Sequence, residues 1–311
     1  MRTVLVLSGG GIWGVMPADC LAEIEAYVKK PLYQVFDMIV GTSTGAILGA
    51  ELAAGVPASI CRNLYAKKGK ALFSPRSKIN PFNWFREKYD RKPILDEISR
   101  SLAHDSELKN PSPSLSQLKT KFMCTSVSIV DERTHYFKGW EQRDGQIPVL
   151  TAVARSFAAA YYFGAINDPE NKQVWVDGGE GSDNLPLIDA YLEAMNQDWL
   201  KEGVYFLAFG CGSPKPGIPY TEASKMGWVG ESKFYLNLAR RQSAREQEYE
   251  VNALARGRNI ALDYVDFIIP REWDELDNVG RINDALRIAM AQFPPYLPQI
   301  LTRIKNAKQI L

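Results

Sequence analysis

Val40-Gly41-Thr42-Ser43-Thr44-Gly45-Ala46-Ile47-Leu48 is the stretch whose reading decides the fold. The apolar run 36–40 that leads into it reads as a buried strand. The small and aliphatic residues after it (Ala46, Ile47, Leu48, Ala50, Leu52) read as a helix packed tightly on a sheet. Between strand and helix stands a G-x-S-x-G string. A serine on so sharp a turn needs small neighbours, because bulk on either flank would clash. The helix behind it directs its N-terminal amides at the hydroxyl, which favours a developing alkoxide. The string therefore reads as a nucleophile elbow, with Ser43 at its tip and Gly41 and Gly45 shaping the turn. The plainer alternative is a phosphate-binding or packing turn.

Upstream the same rhythm occurs once already. Residues 4–7 form a short apolar run, followed by Gly9-Gly10-Gly11 and Gly14. Helical spacing of Leu21, Ile24 and Val28 then continues up to Pro31. Strand, glycine turn and helix, twice over, is the signature of a parallel α/β sheet. Downstream, residues 67–119 are broken by prolines, and Phe82, Trp84, Phe85 and Tyr89 look exposed, so this part reads as a loop-rich cap. A strand pair is expected over 122–130 and 134–138, and a helix over 149–162. Val174-Trp175-Val176 leads into Asp177-Gly178-Gly179, and 204–210 is the last clear core strand. The rest reads as mostly helical, ending in an amphipathic tail with Leu297, Ile300, Leu301 and Ile304. At 311 residues the chain suits one large domain. The expected division is a catalytic part over 1–214, with the cap inside it, and a helical extension over 215–311 packed on the same domain.

The histidines are informative by their scarcity. There are only two, His104 and His135, and both precede Asp177, whereas an α/β-hydrolase triad runs serine, acid, histidine. His104 sits in a polar, solvated helix end, and His135 alternates with aromatics on a strand face. An ordinary Ser-His-Asp triad is not supported, so another base is needed, and Asp177 is the strongest candidate. Gly178 and Gly179 let the backbone turn sharply behind it. A carboxylate with an ordinary pKa near 4 must be hydrogen-bonded to the serine and desolvated to take its proton. Taken alone, Asp-Gly-Gly would be read as a plain turn. The glycine cluster after the first strand can converge backbone amides on one point, as an oxyanion hole requires. Gly9, Gly11 and Gly14 also fit G-x-G-x-x-G, the dinucleotide fingerprint. That reading needs an acidic residue closing the second strand, where this chain has Val40-Gly41-Thr42-Ser43.

In combination these elements resemble the patatin-like phospholipases, which carry a glycine-rich loop, a G-x-S-x-G serine and a D-G-G/A aspartate in this order. The resemblance covers most of the first 214 residues. It includes Lys88-Tyr89-Asp90, Pro93-Ile94-Leu95, Phe137-Lys138, Asn184-Leu185-Pro186 and the glycine-ended strand near Gly210. It implies a three-layer α/β/α sandwich with a mainly parallel sheet, a loop-rich cap and C-terminal helices. It further implies a Ser43–Asp177 dyad, an oxyanion hole from Gly9, Gly10 and Gly11, lipid acyl esters as substrates, and no metal or cofactor. Two positions depart from the family pattern. Trp13 stands where an Arg or Lys is usual before the last loop glycine. Ala154-Arg155-Ser156-Phe157-Ala158-Ala159 replaces an Ala-Thr-Ser-Ala-Ala-Pro-like run.

A formal net charge of +1 argues against nucleic acid as a main partner. No apolar run is long enough to span a bilayer, and with no leader visible the expected location is cytoplasmic. The four cysteines lie far apart, without metal-site spacing. Aromatics interleaved with Arg86, Lys88, Arg91 and Lys92 in the cap fit a peripheral membrane contact or, equally, an ordinary cap over the pocket. Three other functions stay open: a soluble short-chain carboxylesterase, a dinucleotide-binding module, and a catalytically inactive scaffold.

Overall fold

Strands β1 (Arg2–Leu7), β2 (Met38–Thr42) and β7 (Val204–Phe209) carry buried side chains on both faces. Such strands are stable only when helices cover the sheet on either side. The computed structural model describes residues 1–73, 87–225, 228–273 and 275–309, of which 222 and 228–236 by backbone only. Alternation along each strand divides the core in two. Leu5, Leu7, Ile39, Tyr205, Leu207 and Phe209 face one apolar cluster. Val4, Val6, Met38, Val40, Phe206 and Ala208 face the other. The first layer is built by α1 (Val15–Val28), α3 (Thr44–Ala53), α4 (Ala58–Leu72), α5 (Lys92–His104), α6 (Val149–Ser156), α10 (Ile282–Gln292) and α11 (Leu297–Lys308). The second consists mainly of α7 (Leu187–Asn196) and α9 (Trp228–Ala255). Short helices α2 (Leu32–Val35) and α8 (Tyr220–Ala223) complete the set among the described residues. The result is the α/β/α sandwich expected.

The remaining strands are β3 (Lys121–Ser128), β4 (Arg133–Lys138), β5 (Ile166–Asp168), β6 (Gln173–Asp177) and β8 (Ile260–Val265). They give the order β5-β6-β3-β2-β1-β7-β8, with β4 also paired to β3. The pairs β3–β2, β2–β1, β1–β7 and β7–β8 are parallel, and the β4, β5 and β6 pairings are antiparallel. One feature of β3 positions the site. β4 pairs with it from Met123 to Ser128 along one edge, so β2 and β6 must share the other. β2 occupies that edge up to the Thr42–Thr125 pair, and β6 arrives from the opposite direction, ending at the Asp177–Ser126 pair. Two strands thus meet end to end, and the residues at the junction are Ser43 and Asp177.

Several expectations need correction. The last core strand is β8 rather than β7. Its sequence IALDYV lies at the sheet edge, half-buried and interrupted by Asp263, so it lacks the continuous apolar run of a central strand. The region after 214 therefore contributes to the sheet as well as adding helices. The helix expected over 149–162 stops at Ser156, because the Ala158 carbonyl accepts from the Asp177 amide at 3.1 Å. Tyr89 is buried rather than exposed, and Pro93 opens α5 instead of breaking the chain. Phe82, Trp84, Phe85 and Arg86 lie outside the described residues. The amphipathic tail docks on its own sheet as α11, where Ile300 and Ile304 are buried and Lys308 reaches Asp37 at 2.6 Å. Among the described residues no helix is long and apolar enough to cross a membrane.

Candidate active site

Ser43 sits between β2 and α3 with φ 56° and ψ −121°, a conformation that costs a non-glycine residue of order 1–3 kcal/mol. Close packing holds it there: a Cβ on Gly41 would lie 2.3 Å from the Gly45 carbonyl, and one on Gly45 would lie 2.3 Å from that of Leu7. The Ser43 amide donates to Ser156 Oγ at 3.0 Å, and its hydroxyl donates to Asp177 Oδ2 at 2.6 Å. The second carboxylate oxygen, Oδ1, accepts from the Gly179 amide at 2.8 Å. Asp177 is 5% exposed. Burial pushes its carboxyl up to about 6, against the pull of the Ser43 and Gly179 hydrogen bonds and of the Arg240 charge. Gly178 lies so close to Thr125 that its lack of a side chain is what lets β6 end there: a Cβ would lie 2.1 Å from Thr125 Oγ1. Thr42 Oγ1 meets Thr125 Oγ1 at 2.7 Å and the Asp183 carbonyl at 2.6 Å, tying the elbow to the chain beyond Gly179.

The glycine loop comes up against Ser43 from β1. Its three first amides differ. Gly9 N–H donates to the Asn184 carbonyl at 2.8 Å, so the expectation of three donors narrows to Gly10 and Gly11, whose amides have no acceptor among the described residues. Gly11 has φ +58°, and a Cβ there would lie 2.1 Å from the Leu276 carbonyl; at Gly10 it would lie 2.2 Å from Cys211 Cβ. Gly14 packs on the Thr44 side chain. The face of Gly11 that a dinucleotide fingerprint would leave open to a pyrophosphate is thus occupied by protein atoms. Trp13 is buried and donates its indole N–H to the Glu275 carbonyl at 2.9 Å, with its ring stacked on Trp273 at 5.6 Å. Its position supplies a C-terminal anchor for the loop in place of a cation.

Neither histidine joins this group. His104 is exposed at the end of α5. His135 pairs with Ser126 across the edge of β3 opposite Asp177, two strand spacings or about 10 Å from it at Cα, and its Nε2 lies 3.4 Å from Asp144. Two cavities converge on the hydroxyl instead. One is apolar, lined by Ile12, Ile47, Leu64, Leu72, Phe157 and Phe163. The other is of mixed character, bounded by Asp177, Asp266, Arg240 and Arg241 together with Cys211 and Leu276. Arg240 Nε donates to the Gly179 carbonyl at 3.0 Å, and its Nη2 lies 3.4 Å from Glu180. Sequence reading assigned no role to Ser156, Arg240 or Leu276. Ser156 falls inside the run noted as departing from the family pattern. Arg240 is one charge in a charged stretch, and Leu276 acts through its backbone, so neither left a signal.

A family model described as "Patatin-like phospholipase" matches residues 5–191, well over half of the chain. The chain belongs to the patatin-like phospholipase family. Among curated relatives, a "cGAMP-activated phospholipase" of Pseudomonas aeruginosa is 30% identical over 184 residues, covering 57% of this chain and 52% of that protein. One of the same description from Escherichia coli is 26% identical over 294 residues, covering 86% and 81%. The chain thus spans about half the length of the first of these relatives and most of the second. Among solved structures, VipD from Legionella pneumophila aligns over 94% of this chain and 66% of its own at 13% identity, with a TM-score of 0.41.

Proposed function

We propose that this chain is a lipid acyl hydrolase that cleaves carboxylic esters through an acyl-Ser43 intermediate, with Asp177 as general base. The observation that carries the reading is the 2.6 Å hydrogen bond from Ser43 Oγ to Asp177 Oδ2, at the junction where two strands meet end to end. Family membership supports the substrate class, and the raised Asp177 pKa supports its role, because a base near 6 holds a transferred proton better than an ordinary carboxylate.

The steps follow from the atoms present. Ser43 Oγ attacks the ester carbonyl carbon as its proton passes to Asp177 Oδ2. The carbonyl π bond opens, and the resulting oxyanion is met by the amides of Gly10 and Gly11. When the tetrahedral species collapses, the ester C–O bond breaks and Asp177 returns the proton to the leaving alcohol. Water then attacks the acyl-serine and gives a proton to Asp177; the acyl–Oγ bond breaks, Asp177 returns that proton to Ser43 Oγ, and the carboxylic acid leaves. The Gly179 amide fixes the carboxylate throughout, leaving Oδ2 for the serine.

The test is hydrolysis of p-nitrophenyl esters of increasing chain length alongside phospholipid vesicles, for wild type and Ser43→Ala. Ser43-dependent release from long chains and vesicles is the expected result. Activity confined to short soluble esters would favour the carboxylesterase reading, and Ser43-independent release would overturn both.

A further inference from the structure

Ser8 follows β1 and precedes the glycine loop, in the wall of the mixed cavity that Ser43 and Asp177 also line. Its backbone is committed on both sides. The amide donates to the Phe209 carbonyl at 3.0 Å, and the carbonyl accepts from the Cys211 thiol at 3.5 Å. The elbow rests on the same residue, since a Cβ on Gly45 would lie 2.7 Å from the Ser8 carbonyl oxygen. The side chain is different. Ser8 is 4% exposed, yet its Oγ has no hydrogen-bond partner among the described residues. Among those residues no other buried side-chain oxygen or nitrogen lining this cavity is left without one. A hydroxyl buried in a cavity wall and unmet by protein takes its partner from water. The cavity, of about 80 Å³, has room for it.

The acyl-serine route calls for a water in this place. The alcohol leaves on the side of Ser43 that faces Asp177, and water must attack from that side for Asp177 to take its proton. The leaving and attacking oxygens differ in one respect. The ester oxygen carries carbon where water carries a second hydrogen, and in a desolvated site that hydrogen needs an acceptor. We propose that Ser8 Oγ is this acceptor and holds the water that frees the acyl group from Ser43. As the water oxygen bonds to the acyl carbon, one of its protons passes to Asp177 Oδ2. The other stays on the new carboxyl group, hydrogen-bonded to Ser8 Oγ. The acyl–Oγ bond then breaks, and Asp177 returns its proton to Ser43. Ser8 thus serves deacylation by water. This assignment rests on the acyl-Ser43 reading and adds the residue that its second half requires.

The experiment uses methanol as a competitor, because an alcohol has only the one hydroxyl hydrogen that Asp177 takes and offers none to Ser8. p-Nitrophenyl butyrate is turned over in buffer of fixed methanol content, and butyrate and methyl butyrate are both measured. Ser43→Ala supplies the background. In Ser8→Ala the ratio of methyl butyrate to butyrate is expected to rise about tenfold, as the water loses its hydrogen bond and methanol loses nothing. Ser8→Gly, which removes the same hydroxyl, should give the same rise. The ratio is set after the acyl-enzyme has formed, so folding yield and acylation rate do not move it. Ser43-dependent products in an unchanged ratio would mean that Ser8 only packs the strand end, and would overturn this assignment alone. Wild type giving no more of either product than Ser43→Ala would overturn the acyl-Ser43 reading and this assignment with it.

Discussion

The two walls that enclose Ser43 are built in different ways. The wall formed by β2, β6 and the elbow is made of short motifs in which each residue answers a local backbone demand. Gly41 and Gly45 allow the turn, Gly178 allows β6 to end against Thr125, and Gly179 fixes the carboxylate. The opposite wall, formed by Cys211, Arg240, Trp273 and Leu276, gathers residues from a long span of chain and has no motif. The proposed chemistry rests on the first wall, whereas the second packs on the glycine loop and bounds the cavity beside Ser43. A lesson follows for substitutions. Changes in the first wall should abolish the rate without unfolding the protein, and changes in the second should cost stability or selectivity.

The strongest way to break that contrast is Asp177→Asn. If serine and aspartate act as one unit, kcat should fall about as far as in Ser43→Ala, on the order of 10⁴-fold or more, and the double variant should lose nothing further. The same substitution should stabilise the fold at neutral pH. The folded carboxyl, at about 6, binds its proton more tightly than the unfolded one near 4. Between these values the native state holds more protons, so stability is lost as pH rises through the window. Thermal melts of Asp177→Asn should therefore exceed wild type at pH 7 by on the order of 2 kcal/mol, and match it near pH 4. In wild type kcat/KM should rise with pH through about 6. A flat profile there would remove Asp177 as the base.

On the second wall the corresponding change is Gly11→Ala. The added Cβ would press on the Leu276 carbonyl from a residue at φ +58°, which should destabilise the protein by about 2–4 kcal/mol in denaturant melts. A neutral result would show that the C-terminal segment does not clamp the loop. The smallest effect is expected from His104→Gln with His135→Gln. Neither side chain approaches Ser43, so ester hydrolysis should stay within severalfold of wild type. Collapse to the Ser43→Ala level would sink the dyad.

Legibility followed the same division. Ser43, Asp177 and the glycines around them could be picked out because strained turns and close approaches admit few residue types, and those types recur at short spacing. That the Gly9 amide is bonded within the protein was not legible, for a related reason. Which of three adjacent amides stays unbonded depends on the Asn184 carbonyl, 175 positions along the chain. β8 escaped because an edge strand needs no continuous apolar run, and the end of α6 escaped because it is set by Asp177 rather than by a local breaker.

The amino-acid sequence by itself determined the parallel α/β framework and the strand–turn–helix elbow, and it put Ser43 and Asp177 forward as the candidate pair, since periodicity and backbone permissiveness are local properties. Tertiary structure alone decided that β2 and β6 share one edge of β3, which brings Ser43 and Asp177 within hydrogen-bond reach. It also decided that α9 delivers Arg240 to the Gly179 turn and that Trp273 and Leu276 close over the glycine loop. These are contacts between residues far apart in the chain. Their geometry is set by how strands register and layers pack, and no single segment encodes that.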